Sequence, residues 1–187
     1  MISIIRTTIT LTLILLLSAC TSGSILTTKD PAQRVLVYGY LDMSKAGEAA
    51  RYLVVTSNQE LPTAVGNRFD WYPFSENGYF SINDLIPGYT YTINGIRSGV
   101  AISTFGEAAP KKFKLRPGPA DMVYVGAYRY VPHERSVGDV LTDTGSFSLK
   151  RITNVTEAKV LRKVRETIGD PHWEQRIDKR LKRLARR

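Results

Sequence analysis

The stretch Asn77-Gly78-Tyr79-Phe80-Ser81-Ile82-Asn83-Asp84-Leu85-Ile86-Pro87-Gly88-Tyr89-Thr90-Tyr91-Thr92-Ile93 decides the fold. Its two ends are rich in aromatic and β-branched residues, which suit a pleated, half-buried surface. Pro87-Gly88 stands between them: proline presets φ for a reversal and glycine accepts a positive φ. Phe80, Ile82 and Leu85 are expected to bury before the turn, and Tyr89 to open the returning strand. There the tyrosines and Ile93 share one face while the threonines take the other, the period of 2 expected of a strand covered on one side.

Working outward, the same signals run from Arg34 to Ile152. Val35, Val37, Gly39 and Leu41 alternate with Leu36, Tyr38, Tyr40 and Asp42. Further runs are Tyr52 to Thr56, Phe69 to Phe74, Val100 to Phe105, Lys112 to Leu115 and Phe147 to Lys150. Met122 to Val131 is the clearest, with Val123, Val125 and Ala127 on one face and Tyr124, Tyr128 and Tyr130 on the other. Short strands at this spacing, with no helical period between them, predict an antiparallel β-sandwich over residues 34–152.

After Ile152 the period changes. Asn154 followed by Glu157 suits a capping box, and Ala158, Leu161, Val164 and Ile168 recur on one helical face. Gly169 suits the left-handed position that ends a helix, and Asp170-Pro171 restarts one with a cap and an N1 proline. Trp173, Ile177, Leu181 and Leu184 form the apolar stripe of the second helix. Residues 153–187 therefore read as a basic, amphipathic helical hairpin.

The Gly-aromatic strand leading through Leu85-Ile86-Pro87-Gly88-Tyr89 into a second strand resembles carboxypeptidase-regulatory-like, transthyretin-like domains. Phe113-Lys114-Leu115-Arg116-Pro117-Gly118 followed by Met122-Val123-Tyr124-Val125-Gly126 is similar to small bacterial lipoproteins that carry such a domain. The resemblance spans roughly Arg34 to Val131 and implies a transthyretin-like sandwich, a scaffold that hosts many tasks. The hydrolase branch of that family, which acts on 5-hydroxyisourate, depends on histidines and a C-terminal Tyr-Arg-Gly-Ser motif. Neither stands at a matching place here, so the resemblance implies no catalytic residue.

The N-terminus speaks to location. Arg6, the apolar run Ile9 to Leu17 and the small residues Ser18-Ala19 read as an export signal over residues 1–19. The run is too short to span a hydrocarbon core, which needs about 20 apolar residues. Leu17-Ser18-Ala19-Cys20 resembles the lipobox of bacterial lipoproteins, which implies removal of residues 1–19 and acylation of Cys20. Removal would leave 168 residues (187 minus 19). Thr21 and Ser22 replace the aspartate that resembles an inner-membrane retention signal, which favours the outer membrane facing the periplasm. Thr21 to Gln33 is small and polar, and residues 20–33 read as a flexible tether; Ile25-Leu26 supplies the opposing reading of an ordered first strand.

Cys20 is the one cysteine of the chain, so no internal disulfide and no cysteine-ligated metal cluster can form. No cofactor is expected. The formal net charge is +9, and from Glu157 to Arg187 there are 11 Lys/Arg against 5 Asp/Glu, a local excess of +6. In an exported protein such a tail points to anionic lipid or an acidic envelope protein rather than nucleic acid. The candidate binding surface comprises Trp71 and Tyr72, together with Arg176, Lys179, Arg183 and Arg186. Against it stand the plainer readings, that strands favour aromatics and that the helix face is merely solvated. The function expected is that of a lipid-anchored, non-enzymatic binding or accessory subunit of an envelope assembly. The competing reading is an envelope hydrolase whose site lies in the loops around His133 and Asp139; beside the two histidines, His133 and His172, no Gly-x-Ser-x-Gly elbow surrounds any serine.

Overall fold

Strand β1 (Val35–Asp42) carries apolar side chains on both faces, and the architecture follows from covering the two separately. The computed structural model describes residues 24–46, 52–59, 68–75, 77–98, 101–133 and 147–186. The leader, Cys20 and Asp139 lie outside the described residues. Along the chain β1 is followed by β2 (Tyr52–Ser57), β3 (Arg68–Pro73), β4 (Tyr79–Leu85), β5 (Tyr91–Ser98), β6 (Ala101–Thr104), β7 (Lys114–Leu115), β8 (Met122–Pro132) and β9 (Phe147–Arg151). Helices α1 (Glu157–Thr167) and α2 (Pro171–Leu184) follow. The protein is mainly β: one sheet runs β4-β1-β8-β9, the other β3-β2-β5-β6 with β7 also paired to β5.

Val35, Val37 and Leu41 point from β1 into a core shared with Leu53 and Val55 of β2, Phe80 and Ile82 of β4, and Tyr91 and Ile93 of β5. This core lies between the two sheets. Leu36 and Tyr38 point the other way, into a second core with Val160, Leu161 and Val164 of α1 and Trp173 and Ile177 of α2. The hairpin thus covers the outer face of the β4-β1-β8-β9 sheet. Each buried aliphatic or aromatic side chain contributes on the order of 1.5–3 kcal/mol, so both cores are substantial.

The expectation of a wholly antiparallel sandwich is corrected at the centre of this sheet. β1 pairs antiparallel with β4, but it pairs parallel with β8, from Leu36↔Met122 to Asp42↔Arg129. Alternation along a strand reports which face is buried and carries no information on direction, so the pattern was compatible with either. A parallel partner requires a long crossover, supplied here by the strands of the other sheet.

The face assignment of β8 is also corrected. Tyr38 and Tyr40 of β1 oppose Tyr124 and Ala127 of β8, so β8 carries one extra residue there. Gly126, at φ +112, holds this bulge in a backbone region that disfavours side-chain-bearing residues. Before it Val123 and Val125 face the inter-sheet core; beyond it the faces exchange, so that Tyr128 enters that core while Ala127 turns to the helices.

From Ser24 onward the segment read as a tether is packed on the domain, without forming the first strand that Ile25-Leu26 offered as the opposing reading. Ile25 is 4% exposed and belongs to the inter-sheet core, and Thr27 bridges to Leu85. The buried Gln59 amide clamps this segment, accepting from the Leu26 N–H at 2.7 Å and donating to the Leu26 carbonyl at 3.0 Å.

At the hairpin, the cap of α1 is Thr156 rather than Asn154: its hydroxyl accepts from the Lys159 N–H at 3.3 Å, three residues on. Asp170 caps α2 with Pro171 at its first turn, accepting from the His172 N–H at 2.9 Å, and Gly169 has φ +57. Val160, fully buried beside Leu161, belongs to the apolar face of α1 in addition to the residues expected there.

Two substitutions test these assignments. Gly88 has φ +86, and an added Cβ would meet no atom within 4 Å, so Gly88→Val isolates backbone strain. It should destabilise residues 21–187 by about 1–3 kcal/mol, read as a lower thermal midpoint, while Ser81→Ala should shift it little. Trp173→Ala should cost about 3–5 kcal/mol in denaturant unfolding, because the indole is fully buried and donates to the Asn83 carbonyl. An unchanged midpoint in either case would remove the corresponding assignment.

Candidate functional site

Seating Trp173 and Ile177 against the sheet fixes which side of α2 faces water. The hairpin carboxylates are all committed within the molecule. Glu157 accepts from Arg180 Nε at 2.8 Å and Nη2 at 3.3 Å, and from the Tyr38 hydroxyl at 2.7 Å. Glu166 pairs with Lys163 at 2.8 Å, and Asp170 pairs with Arg34. Glu174 and Asp178 both meet Arg165, at 3.2 and 3.3 Å. These contacts join the end of α1 to the start of α2 and the start of α1 to the middle of α2, as an antiparallel hairpin requires. Burial, reinforced by Glu157, pushes the Tyr38 phenol well above its usual range, so it remains a donor at any physiological pH.

With the carboxylates used, Lys179, Lys182, Arg183 and Arg186 remain exposed and, among the described residues, without an ion pair. Their spacing of three and four residues places them on one stripe. Arg176 does not join them: it donates to the Ala120 carbonyl and lies over the Trp173 ring at 5.3 Å from the centroid. Lys182, outside the four expected residues, takes its place on the face. The Tyr38–Glu157–Arg180 junction was not anticipated either. Its one sequence signal was a tyrosine on the β1 face opposite the valines.

Among the described residues no helix covers the outer face of the β3-β2-β5-β6 sheet. Trp71, 39% exposed, stands opposite Val54, and Tyr52 is flanked by Pro73 and Arg97, with Ile102 next beyond Arg97. The Arg97 guanidinium lies 3.8 Å from the Trp71 ring centroid, and Phe69 packs at 5.9 Å between centroids. Tyr72, its neighbour on β3, points inward as alternation demands and packs against the inter-sheet core. Its hydroxyl is buried without a hydrogen-bond partner, and burial beside Asp84 and Asp70 pushes its pKa up. Trp71 and Tyr72 therefore do not form one surface.

The histidines are far apart in role. His133 is exposed at the end of β8, with Nε2 3.3 Å from Ser148 Oγ of β9. His172 stands edge-on to Trp173 at 5.1 Å, and its Nε2 is buried without a partner. Among the described residues no group of three or more His, Cys, Asp or Glu side chains converges to hold a metal. Likewise, among the described residues no helix is long and apolar enough to cross a membrane.

No family model and no curated protein matches the chain. Among solved structures it is similar, at 16% identity and a TM-score of 0.27, to a leucine-rich repeat protein from Bacteroides thetaiotaomicron, over 54% of this chain and 13% of that one. A likeness so slight carries no argument.

A pH dependence follows from His172. Burial, then the nearby Arg176 and Arg34 cations, lower its pKa, with Asp170 opposing. The unfolded chain, titrating near 6.5, binds the proton first as pH falls. The stability contributed by the neutral ring is complete above that value and is lost as pH falls through the folded one. The denaturant midpoint should begin to drop as pH falls toward about 6.5 and keep dropping below it, and His172→Gln should flatten the decline. Parallel pH profiles for parent and variant would contradict this.

Proposed function

We propose that the chain is a lipid-anchored cell-envelope protein, held through an acylated Cys20, whose transthyretin-like sandwich presents a non-enzymatic binding surface to an acidic envelope protein. The transthyretin-like reading is supported by the Gly78-Tyr79 strand passing through Leu85-Ile86-Pro87-Gly88-Tyr89 from one sheet into the other. The leader, the Leu17-Ser18-Ala19-Cys20 tetrad and the residues Thr21 and Ser22 support an outer-membrane, periplasm-facing location.

One observation carries the binding function. Of the five carboxylates between Glu157 and Arg187, four pair inside the hairpin and Asp170 pairs with Arg34, while among the described residues the stripe Lys179, Lys182, Arg183 and Arg186 has no ion pair and stays outward. A face of four unneutralised cations attracts an acidic surface over roughly a Debye length, about 8 Å at physiological ionic strength. None of the four holds the fold together by an ion pair, so they are separable from stability.

Replacing all four with Gln should shift the unfolding midpoint by no more than the few tenths of a kcal/mol usual for exposed charges. The same variant should lose, in low-salt co-purification of the lipidated protein from membranes, the acidic partner that the parent retains and that raised salt releases. Equal retention by parent and variant would refute the basic face as the contact.

A further inference from the structure

We propose that the end of the sandwich built from residues 24–28, the 86–90 turn and residues 114–118 rests directly on the lipid surface, fixing the domain in one orientation on its membrane. The inference depends on the acylation of Cys20 proposed above and adds a contact surface to it.

Chain length sets the distance. Four residues carry the chain from Cys20 to Ser24, and at 3.3–3.6 Å per residue they reach at most about 14 Å. The chain is then locked down. Ile25 sits in the core at 4% exposure, the Thr28 N–H donates to the Asp84 carbonyl at 3.0 Å, and Arg68 donates to the Ser24 carbonyl at 2.9 Å. A domain held this way cannot swing on a long arm, and the end at which residue 24 enters lies within that reach of the headgroups.

The surface at this end suits an interface. Gln59, which clamps Leu26, also donates to the Tyr91 hydroxyl at 3.1 Å, and that hydroxyl donates to the Ile86 carbonyl at 2.8 Å. The Gly88 N–H donates to the Pro117 carbonyl at 2.9 Å and Arg116 Nε to the Gly88 carbonyl at 2.7 Å. The three segments therefore form one knitted patch. It exposes Leu26 at 49% and Tyr89 at 37%, with Lys29 and Arg116 beside them. A leucine to enter the acyl boundary, a tyrosine for the headgroup level and cations for phosphates are the chemistry of an interfacial contact. Among the described residues the exposed acidic groups at this end, Asp30 and Asp121, accept from the Ala32 and Gly118 N–H groups of their own loops, and Asp84 is partly buried. A tether this short gives an effective concentration on the order of millimolar or above, so even a weak patch stays seated.

The test uses the full lipidated protein in vesicles of phosphatidylethanolamine and phosphatidylglycerol containing a lipid-borne quencher. With Cys20 acylated, a single introduced thiol accepts a fluorophore. Ala32→Cys places it at the seating end, and Ile102→Cys places it on β6 opposite Arg97, about 20 Å along β5 from Tyr91. The fluorophore at 32 should be quenched severalfold more than that at 102. Adding Leu26→Ser and Tyr89→Ser should lower the quenching at 32 toward that at 102 while the protein remains membrane-bound. Equal quenching at 32 and 102 in the acylated parent overturns the seat. Strong quenching at 32 that survives the double substitution overturns the side-chain contact and leaves proximity to the tether alone. Mass spectrometry finding an unmodified Cys20 instead sinks the anchor, a failure read independently of the optical result.

Discussion

The molecule depends on one constraint, that β1 is buried on both faces. A strand in this position cannot be satisfied by a single apolar layer. Val35, Val37 and Leu41 require the second sheet, and Leu36 and Tyr38 require something else on the far side. The hairpin is that second cover, which is why the basic C-terminal segment is integral to the fold rather than appended to it. The remaining tertiary features serve this arrangement. The parallel pairing with β8 closes the central strand on its second edge, and the Gly126 bulge re-aims β8 so that Tyr128 fills the inter-sheet core while small Ala127 meets the helices.

The joint between hairpin and sheet is apolar at its centre and ionic at its edges. Glu157 receives the Tyr38 hydroxyl from the sheet and Arg180 from α2, so one carboxylate ties three elements. Partly buried groups of this kind are costly when left alone and effective when fully satisfied, and the two Glu157 oxygens have partners of suitable geometry. This internal use of acidic groups leaves four of the surplus cations, Lys179, Lys182, Arg183 and Arg186, together on one stripe. Charge separation between the joint and the outer stripe is a by-product of how the hairpin docks.

Much of this was legible in the chain because the relevant physics is local. Pro87-Gly88 specifies its own reversal, Asp170-Pro171 its own helix start, and the stripe from Trp173 to Leu184 its own buried side. The split between Trp71 and Tyr72 follows from alternation alone. What escaped depends on distant partners or on one residue of backbone. The direction of β8 relative to β1 is settled by pairings 86 positions apart, from residue 36 to residue 122. The exchange of Ala127 and Tyr128 hangs on the φ of Gly126. Arg176 was indistinguishable from Lys179 until the Ala120 carbonyl, 56 residues earlier in the chain, came beside it. Ile25-Leu26 left two readings of the stretch open because what holds it, the buried Gln59 amide on Leu26, is a polar residue just past β2 and 33 positions away.

The placement of the hairpin after every strand of the two sheets also orders events in time. A polypeptide is delivered N-terminus first, so β1 exists long before either of its later partners. Its parallel edge waits for Met122 and beyond, and its outer face, with Leu36 and Tyr38, waits for residues 157–184. Contacts so distant in sequence form slowly, and during that interval an apolar sheet face stands open to other chains. The stretch that arrives after both sheets is the one that covers this face, so termination before Glu157 leaves a two-sheet fragment with an apolar face open rather than a smaller version of the same protein.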